Sequence, residues 1–204
     1  DLLKKLVSAR LGAQYLVLVA SAFLATIYNV KFWKTFTMAT GDLSLPNLPL
    51  HLAAFVAVVL IFNACLTLLS FRYVMKPVLI ALLLATSAAS YFTNEYGVII
   101  DKSMVQNMME TDFREAGELL SWNLAATISF LGILPSLAVA RMRVRFPQGT
   151  RGLALKAGSA TVSLAVAALL LLLFFKSLAP ALREHRELRY MLAPTNYIQA
   201  VHGY

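Results

Sequence analysis

Charged side chains are scarce in this sequence of 204 residues. Only 14% of the residues are Asp, Glu, Lys or Arg, whereas 59% are hydrophobic, and the mean hydropathy is +0.71. Soluble domains carry about 25% charged residues. The composition therefore excludes a soluble enzyme and a nucleic-acid-binding domain. The net charge of +8 is explained by membrane topology, and we expect no nucleic-acid partner.

Residues that build metal sites and nucleophilic sites are also few. Cys65 is the only cysteine, so no intrachain disulfide and no cysteine-based metal site can form. The three histidines, His51, His185 and His202, have none of the spacings that converge on zinc, and we interpret them as surface residues. No Ser/His/Asp set or glycine-rich phosphate loop is present. We therefore assign no catalytic residue and no metal ligand to these residues.

Long uncharged segments make up most of the chain. Five of them have 18 to 29 residues, at 11–30, 43–71, 77–94, 119–140 and 157–175. A hydrocarbon core of about 30 Å needs roughly 17 to 25 helical residues, so each segment is long enough to cross a membrane. We predict an all-α, five-helix transmembrane bundle, with crossings at about 11–30, 48–70, 77–95, 120–140 and 155–176. Because no segment carries a charge near its middle, an ion-coupled transporter is disfavoured.

Basic residues are divided unevenly between the connections. If the crossings follow one another in order, three connections share one side of the membrane and hold ten bases with Asp1 as their only acid: Lys4, Lys5, Arg10, Arg72, Lys76, Arg141, Arg143, Arg145, Arg151 and Lys156. The positive-inside rule then predicts a cytoplasmic N-terminus and a C-terminus on the opposite side. The four arginines from 141 to 151 either set this orientation or lie against anionic lipids.

Two segments on the opposite side have recognisable patterns. Residues 31–49 place Phe32, Trp33 and Phe36 among lysines, which predicts an interfacial aromatic segment. Residues 95–120 have a helical period, with an apolar stripe at Val105, Met109, Phe113, Ala116 and Leu120. Asn107, Thr111 and Glu115 form a second stripe on the other face. This polar stripe is either a solvated surface or a strip that holds a lipid headgroup.

Several strings along the chain resemble the membrane domain of the lipid A phosphoethanolamine transferases, the family that includes the mobile colistin-resistance enzymes. They are RYVMKP at 72–77, SYFT at 90–93, DKSMVQNMMETDFREA at 101–116, GILPS at 132–136 and LAPTNYI at 192–198. Each string is weak alone. Together they span most of the chain in the order of the family.

The resemblance implies a fold, a function and a location. The fold is an all-α polytopic membrane protein, a five-helix transmembrane bundle with periplasmic amphipathic helix segments, in the bacterial inner membrane. Such enzymes transfer phosphoethanolamine from phosphatidylethanolamine, the donor lipid, to lipid A, the acceptor, which gives polymyxin and colistin resistance. A phosphorylated threonine and zinc belong to a C-terminal periplasmic catalytic domain. That domain would follow Tyr204, so the resemblance implies no cofactor within residues 1–204.

The resemblance also bears on the polar stripe at 107–115. In the family the matching helix faces the catalytic domain and helps to bind the ethanolamine lipid, so Asn107, Thr111 and Glu115 are the expected substrate-binding residues. Tyr91, Tyr96 and Asn196 are weaker candidates, since aromatic residues at this depth usually anchor helices at the interface. The alternative is a non-catalytic five-helix inner-membrane binding or assembly protein. A downstream nucleophile string with Asp/His metal ligands would distinguish the enzyme from this alternative.

Overall fold

The computed structural model describes residues 11–97, 121–147, 149–185 and 187–195. Within these ranges the chain consists of helices, the turns and loops that join them, and one short parallel pair of strands. The elements are β1 (Leu11–Gly12), α1 (Ala13–Ile27), α2 (Val30–Thr40), α3 (Leu48–Leu68), α4 (Met75–Tyr96), α5 (Trp122–Arg141), β2 (Val144–Arg145), α6 (Gly149–Leu173), α7 (Phe175–Glu184) and α8 (Leu188–Met191). The predicted all-α fold class is confirmed.

Four helices in the described ranges are long and apolar enough to cross a membrane, namely α3, α4, α5 and α6. Helices α1 and α2 pass the same test together, although they meet at an angle of 66°. They provide the fifth span if the bent pair is counted as one. The largest difference from the sequence-based bounds is in α6, which begins at Gly149, six residues before the predicted start, and ends at Leu173; α7 follows as a separate helix from Phe175.

The bend between α1 and α2 has a specific hydrogen-bonding cause. The last carbonyls of a helix lack partners within the helix and must be satisfied from elsewhere. Here Asn29 Nδ2 donates to the Leu24 carbonyl at 2.8 Å, and Trp33 Nε1 donates to the Ala25 carbonyl at 2.7 Å. Side chains that follow the helix therefore cap it. The aromatic segment expected at 31–49 begins as helix α2, with Phe32 and Phe36 buried against α3, α7 and α8.

Helix α5 contains a π-helical turn over Ile128–Ile133, and Pro135 explains it. Proline has no backbone N–H, so the carbonyl of Leu131 loses its ordinary donor four residues later. The N–H of Leu134 bonds instead to the carbonyl of Ser129, five residues back. The hydroxyl of Tyr28, just after α1, donates to the Leu131 carbonyl and links α1 to α5. The carbonyl that Pro135 leaves without a helical donor thus forms a hydrogen bond that connects two helices.

Small and polar residues let the helices pack closely. Gly132 lies so near α4 that an added Cβ would come within 2.6 Å of Ser87 Oγ. Between α3 and α6, the buried Ser163 hydroxyl donates to Asn63 Oδ1 at 3.1 Å. Close backbone approach and interhelical hydrogen bonds are the usual means of association where lipid replaces water. The main core lies among α1, α3, α4 and α5.

The basic connections meet at one end of the bundle. Strand β1 pairs with β2 in parallel, with Leu11 opposite Val144 and Gly12 opposite Arg145. Lys76 Nζ donates to the Ala140 carbonyl at 2.8 Å, and Lys156 Nζ lies 4.2 Å from the centre of the Phe71 ring. We call this the basic end. The opposite end, formed by α2, α7, α8 and the termini of α4 and α5, is called the outer end.

Candidate lipid-binding face

Gly97 and Ser121, the residues on either side of the predicted lipid-binding segment, both lie at the outer end. Helix α4 ends at Gly97, whose left-handed φ of 69° is a conformation that favours glycine. Helix α5 is capped by Ser121, whose Oγ accepts the N–H of Leu124 at 3.1 Å. The 98–120 segment therefore follows a helix that ends at a glycine and precedes a helix that is capped by a serine.

A hydrogen bond joins α4 to the start of α5. The hydroxyl of Tyr91 lies 2.7 Å from Ser121 Oγ, and the Tyr91 side chain is buried. Its ring contacts Phe92 and Tyr96 edge to face, with centroids 5.5 Å and 6.1 Å away. Since the Tyr91 hydroxyl is already paired, its role is to hold the two ends of the segment together. The Tyr96 side chain is instead 54% exposed.

A groove of about 380 Å³ lies at the elbow between α1 and α2. It is mostly apolar and is lined by Thr26, Val30, Trp33, Lys34, Thr37 and Phe55. The exposed Lys34 is its one charged group. One turn before it, Lys31 reaches the end of α4, where a Cβ on Gly97 would lie 2.7 Å from Lys31 Nζ. An apolar surface beside an ammonium suits an acyl chain whose phosphate lies at the interface.

A second buried junction at the outer end joins the elbow to the C-terminal part of the chain. The Asn29 side chain is buried and exchanges two hydrogen bonds with Ala193: Nδ2 donates to the Ala193 carbonyl, and Oδ1 accepts the Ala193 N–H, both at 2.8 Å. Sequence reasoning missed this junction. The available signal was a lone amide directly after a long apolar run.

His51 corrects one sequence-based interpretation. We expected a surface histidine, but the side chain is only 6% exposed. Its Nδ1 lies 2.9 Å from the Asn47 carbonyl, and its ring meets Phe36 edge to face at 5.5 Å. The reason is the helix α2, which folds back over the start of α3 and covers the ring. His51 thus belongs to the packing between α2 and α3.

The predicted substrate-binding residues Asn107, Thr111 and Glu115 lie outside the described residues, as does Asn196. Of the weaker candidates, Tyr91 is a packing and hydrogen-bonding residue, and Tyr96 is exposed. The structure therefore describes Gly97 and Ser121, which flank the 98–120 segment, and the elbow groove.

The remaining outer-end polar groups give no metal site. In the described ranges no three His, Cys, Asp or Glu side chains are grouped so as to hold a metal ion. His185 Nδ1 lies 3.2 Å from Glu187 Oε1. A backbone hydrogen bond, followed by that from His185, lowers the pKa of the Glu187 carboxyl. Both side chains are partly exposed, so this pair contributes little to stability.

Comparison with known proteins gives one consistent family. The family model described as phosphoethanolamine transferase EptA/EptB matches residues 58–204. The chain is 38% identical over 195 residues to phosphatidylethanolamine transferase Mcr-1 of Escherichia coli and 36% identical over 183 residues to Mcr-2 of the same organism. These matches cover 91% and 90% of the chain, but 34% of each relative.

A solved structure has the same fold. The lipooligosaccharide phosphoethanolamine transferase A of Neisseria meningitidis, an integral membrane protein, superposes with a TM-score of 0.90 at 20% sequence identity. The superposition covers 96% of this chain and 36% of the other. The chain therefore spans about a third of the length of the proteins that it matches. From the extent of the family match, this chain belongs to the EptA/EptB phosphoethanolamine transferase family, whose N-terminal membrane region it resembles in fold.

Proposed function

We propose that this chain is the membrane domain of an enzyme that transfers phosphoethanolamine from phosphatidylethanolamine to a lipid A phosphate. The observation that carries this proposal is the family match over residues 58–204. Chains of the same family are named for transfer of this group. The expected consequence is protection against polymyxin and colistin, because a lipid A phosphate that carries ethanolamine attracts cationic peptides less strongly.

The proposed location is the bacterial inner membrane, with the basic end in the cytoplasm and the outer end in the periplasm. The basic end gathers seven described bases and no described acid, whereas Asp42, Glu95, Glu184 and Glu187 belong to connections and helix termini of the outer end. The positive-inside rule assigns such a basic end to the cytoplasm. The outer end would then face the acceptor, lipid A, and the periplasmic catalytic domain.

Asn107, Thr111 and Glu115 are proposed to hold the donor headgroup. In a helix these residues are spaced one turn apart, at about 1.5 Å rise per residue. The carboxylate can pair with the ethanolamine ammonium, while the amide and the hydroxyl can bond to phosphate or glycerol oxygens. The Tyr91–Ser121 hydrogen bond supports this proposal, since it keeps the two ends of the segment together. The elbow groove with Lys34 offers a nearby apolar surface for the acyl chains.

The group transfer itself is proposed to occur in a periplasmic domain outside these residues. Zinc would polarise the phosphoryl oxygens there, as metal ions do in phosphoryl transfer generally. The described residues do not fit such a metal, since no three potential ligands are grouped. The relatives are about three times as long as their matched region, which leaves ample chain for a catalytic domain. The role of residues 1–204 is then to anchor that domain and to present the donor lipid.

A transfer assay with the full-length protein tests both the reaction and the donor strip. The purified protein is mixed with headgroup-labelled phosphatidylethanolamine and lipid A, and label in lipid A is measured. We expect transfer by the wild type. Glu115→Ala should reduce transfer at least about tenfold, because removing one partner of a desolvated charge pair costs about 2 to 5 kcal/mol.

Neighbouring acids serve as matched controls. Glu110→Ala and Glu118→Ala remove the same charge from the same segment, but away from the stripe or at its end, so they should retain most of the activity. Phe113→Ala should lower expression rather than transfer per folded molecule, since its ring lies on the apolar stripe. Equal losses in all three glutamate variants would refute the donor strip but not the reaction. Absence of labelled lipid A with the wild type would refute the reaction.

A further inference from the structure

The basic end contains a cavity of about 580 Å³ that the proposed transfer reaction does not use. It lies where the α3–α4 turn meets the segment after α5. Its wall carries five cationic side chains, namely Arg72, Lys76, Arg141, Arg143 and Arg145. A cavity lined by charges of a single sign concentrates the electrostatic potential and attracts a counter-ion.

The backbone that carries these cations is held in a defined register. Met142 is extended, and the strand pairing of β2 with β1 continues the extended segment through Arg145. Met142, Val144 and Phe146 consequently pack against the core, while Arg143 and Arg145 alternate with them and are exposed. The hydrogen bond from Lys76 to the Ala140 carbonyl fixes the end of α5 beside α4. The arginines thus project from a constrained segment into one cavity.

The positive charges of the cavity have no carboxylate partner among the described residues. Among the described residues, the ion pair that does form joins His185 to Glu187, and this pair lies at the outer end. The four described acids belong to outer-end elements as well. Five neighbouring cations repel one another, so an anion bound among them would relieve that repulsion. An arginine pair is also well suited to a phosphate, because guanidinium groups can donate two parallel hydrogen bonds.

The surface that leads away from the cavity is apolar. Phe130, Leu134 and Leu137 are large, exposed side chains on α5, spaced about one turn apart, and the next turn brings Arg141 to the cavity wall. An ion without a hydrocarbon part would leave this stripe unused. An amphiphile would place its anionic group among the arginines and its acyl chain along α5.

We propose that the basic-end cavity binds the phosphate of an anionic glycerophospholipid, with an acyl chain along the α5 stripe. The cavity lies at the opposite end of the bundle from Gly97 and Ser121, which flank the segment that carries the proposed donor strip. The bound lipid would fasten β2 and the end of α5 to the membrane surface. Its recognition would depend on net negative charge, which distinguishes it from a zwitterionic donor.

Lipid binding by the purified full-length protein tests the proposal. Native mass spectrometry is used to titrate phosphatidylglycerol, with zwitterionic phosphatidylcholine as the comparison lipid. The double variant Arg143→Gln/Arg145→Gln removes two charges from the cavity. The matched variant Arg151→Gln/Lys156→Gln removes two charges from the same end but outside the cavity lining. We expect the cavity variant to weaken phosphatidylglycerol binding at least about tenfold and the matched variant less than about twofold.

Two further arms separate charge from folding and lipid from free phosphate. Arg143→Lys/Arg145→Lys keeps the charge and should retain binding within about threefold, whereas loss equal to that of the glutamine variant would overturn the electrostatic basis. Inorganic phosphate at millimolar concentration should not displace the lipid; full displacement would make the ligand a soluble phosphate and overturn the lipid assignment. Equal losses in the cavity and matched variants, or no loss in either, would also overturn the proposal.

Discussion

Asn29 shows how one amide can decide the shape of a membrane helix. A buried polar group must be hydrogen-bonded, and the Asn29 side chain forms three bonds, one with the Leu24 carbonyl and two with the backbone of Ala193. The first bond ends α1, and the other two hold the C-terminal segment against the elbow. An apolar residue here would leave all three backbone groups without these partners.

We therefore expect Asn29→Ala to loosen the elbow and the segment near Ala193 together. Leaving buried backbone groups unpaired should cost about 2 to 4 kcal/mol. Hydrogen exchange of the full-length protein, followed by mass spectrometry, should increase in peptides covering 24–33 and 188–195. Asn47→Ala is the control, since its exposed amide forms a single 3.2 Å bond to the Asp42 carbonyl. Equal exchange in the two variants would show that Asn29 is not the junction.

Asn29 stands out in the sequence as a lone amide after an apolar run, but neither the bend nor the partner Ala193 could be predicted from it, for a physical reason. The crossings are predicted from segments without charged residues. Because Asn29 is uncharged, residues 11–30 look like one continuous crossing. The Asn29–Ala193 contact joins residues 164 positions apart. No local pattern reports such a pair. The burial of His51 was missed in the same way, because it depends on α2 folding over α3.

At the scale of elements, hydrophobicity alone indicates where the long apolar helices α3 to α6 lie, whereas the residues expected as the first crossing belong to α1 and the start of α2, which meet at 66°. The predicted crossing at 48–70 corresponds to α3 at Leu48–Leu68, and that at 77–95 corresponds to α4 at Met75–Tyr96. Such helices are apolar on nearly every side, since one side meets protein and the other meets lipid. The π-helical turn was not predicted, although Pro135 is the residue that produces it.

The close approach of α4 and α5 gives a prediction at this scale. Gly132→Ala would bring a Cβ within 2.6 Å of Ser87 Oγ and 3.2 Å of Leu84 Cδ2. Overpacking of this kind costs about 1 to 3 kcal/mol, so the helices should separate and the full-length protein should lose its fold at a lower temperature. The fraction that remains monodisperse in size-exclusion chromatography after heating measures the change.

Gly158 provides the matched control for this substitution. It lies on α6 with open space around the position of an added Cβ, so Gly158→Ala should be neutral or slightly stabilising. If Gly132→Ala tolerates heat as well as Gly158→Ala does, the α4–α5 contact is looser than the structure indicates.

For the whole molecule, the separation of charge between the two ends follows directly from the sequence. The basic connections are far apart in the chain, yet the structure brings residues 72–76 and 140–146 together at one end. The contact between Lys156 and the Phe71 ring lies at the same end. The sequence indicated which connections share a side. It could not indicate that they enclose a cavity, because that depends on the pairing of β1 with β2 and on the position of Lys76.

The proposed orientation predicts which positions an impermeant thiol reagent reaches in intact cells. Arg183→Cys on α7 should react, since its exposed side chain is placed in the periplasm, and Arg145→Cys should react only after the cells are permeabilised. Cys65 is replaced by alanine in both variants, so that within residues 1–204 the introduced cysteine is the only thiol. The reverse pattern would invert the orientation and place the Asn107–Glu115 strip on the cytoplasmic side.

The donor strip could be predicted from its helical period and from the family resemblance, and it stays a prediction because Asn107, Thr111 and Glu115 lie outside the described residues. The structure supplies its setting: the left-handed Gly97, the Tyr91–Ser121 hydrogen bond and the elbow groove. None of these features was apparent in the sequence, since each depends on how the helices pack.

The most direct test of the proposed function is the mass spectrum of lipid A from polymyxin-sensitive bacteria that produce the full-length protein. We expect lipid A species that carry added phosphoethanolamine, and we expect them to be strongly depleted in cells that produce the Glu115→Ala variant at equal abundance. Membrane insertion is verified in the same cells by the Arg183→Cys labelling. Unmodified lipid A from cells that contain the correctly inserted wild-type protein would contradict the assignment of this chain to a lipid A phosphoethanolamine transferase.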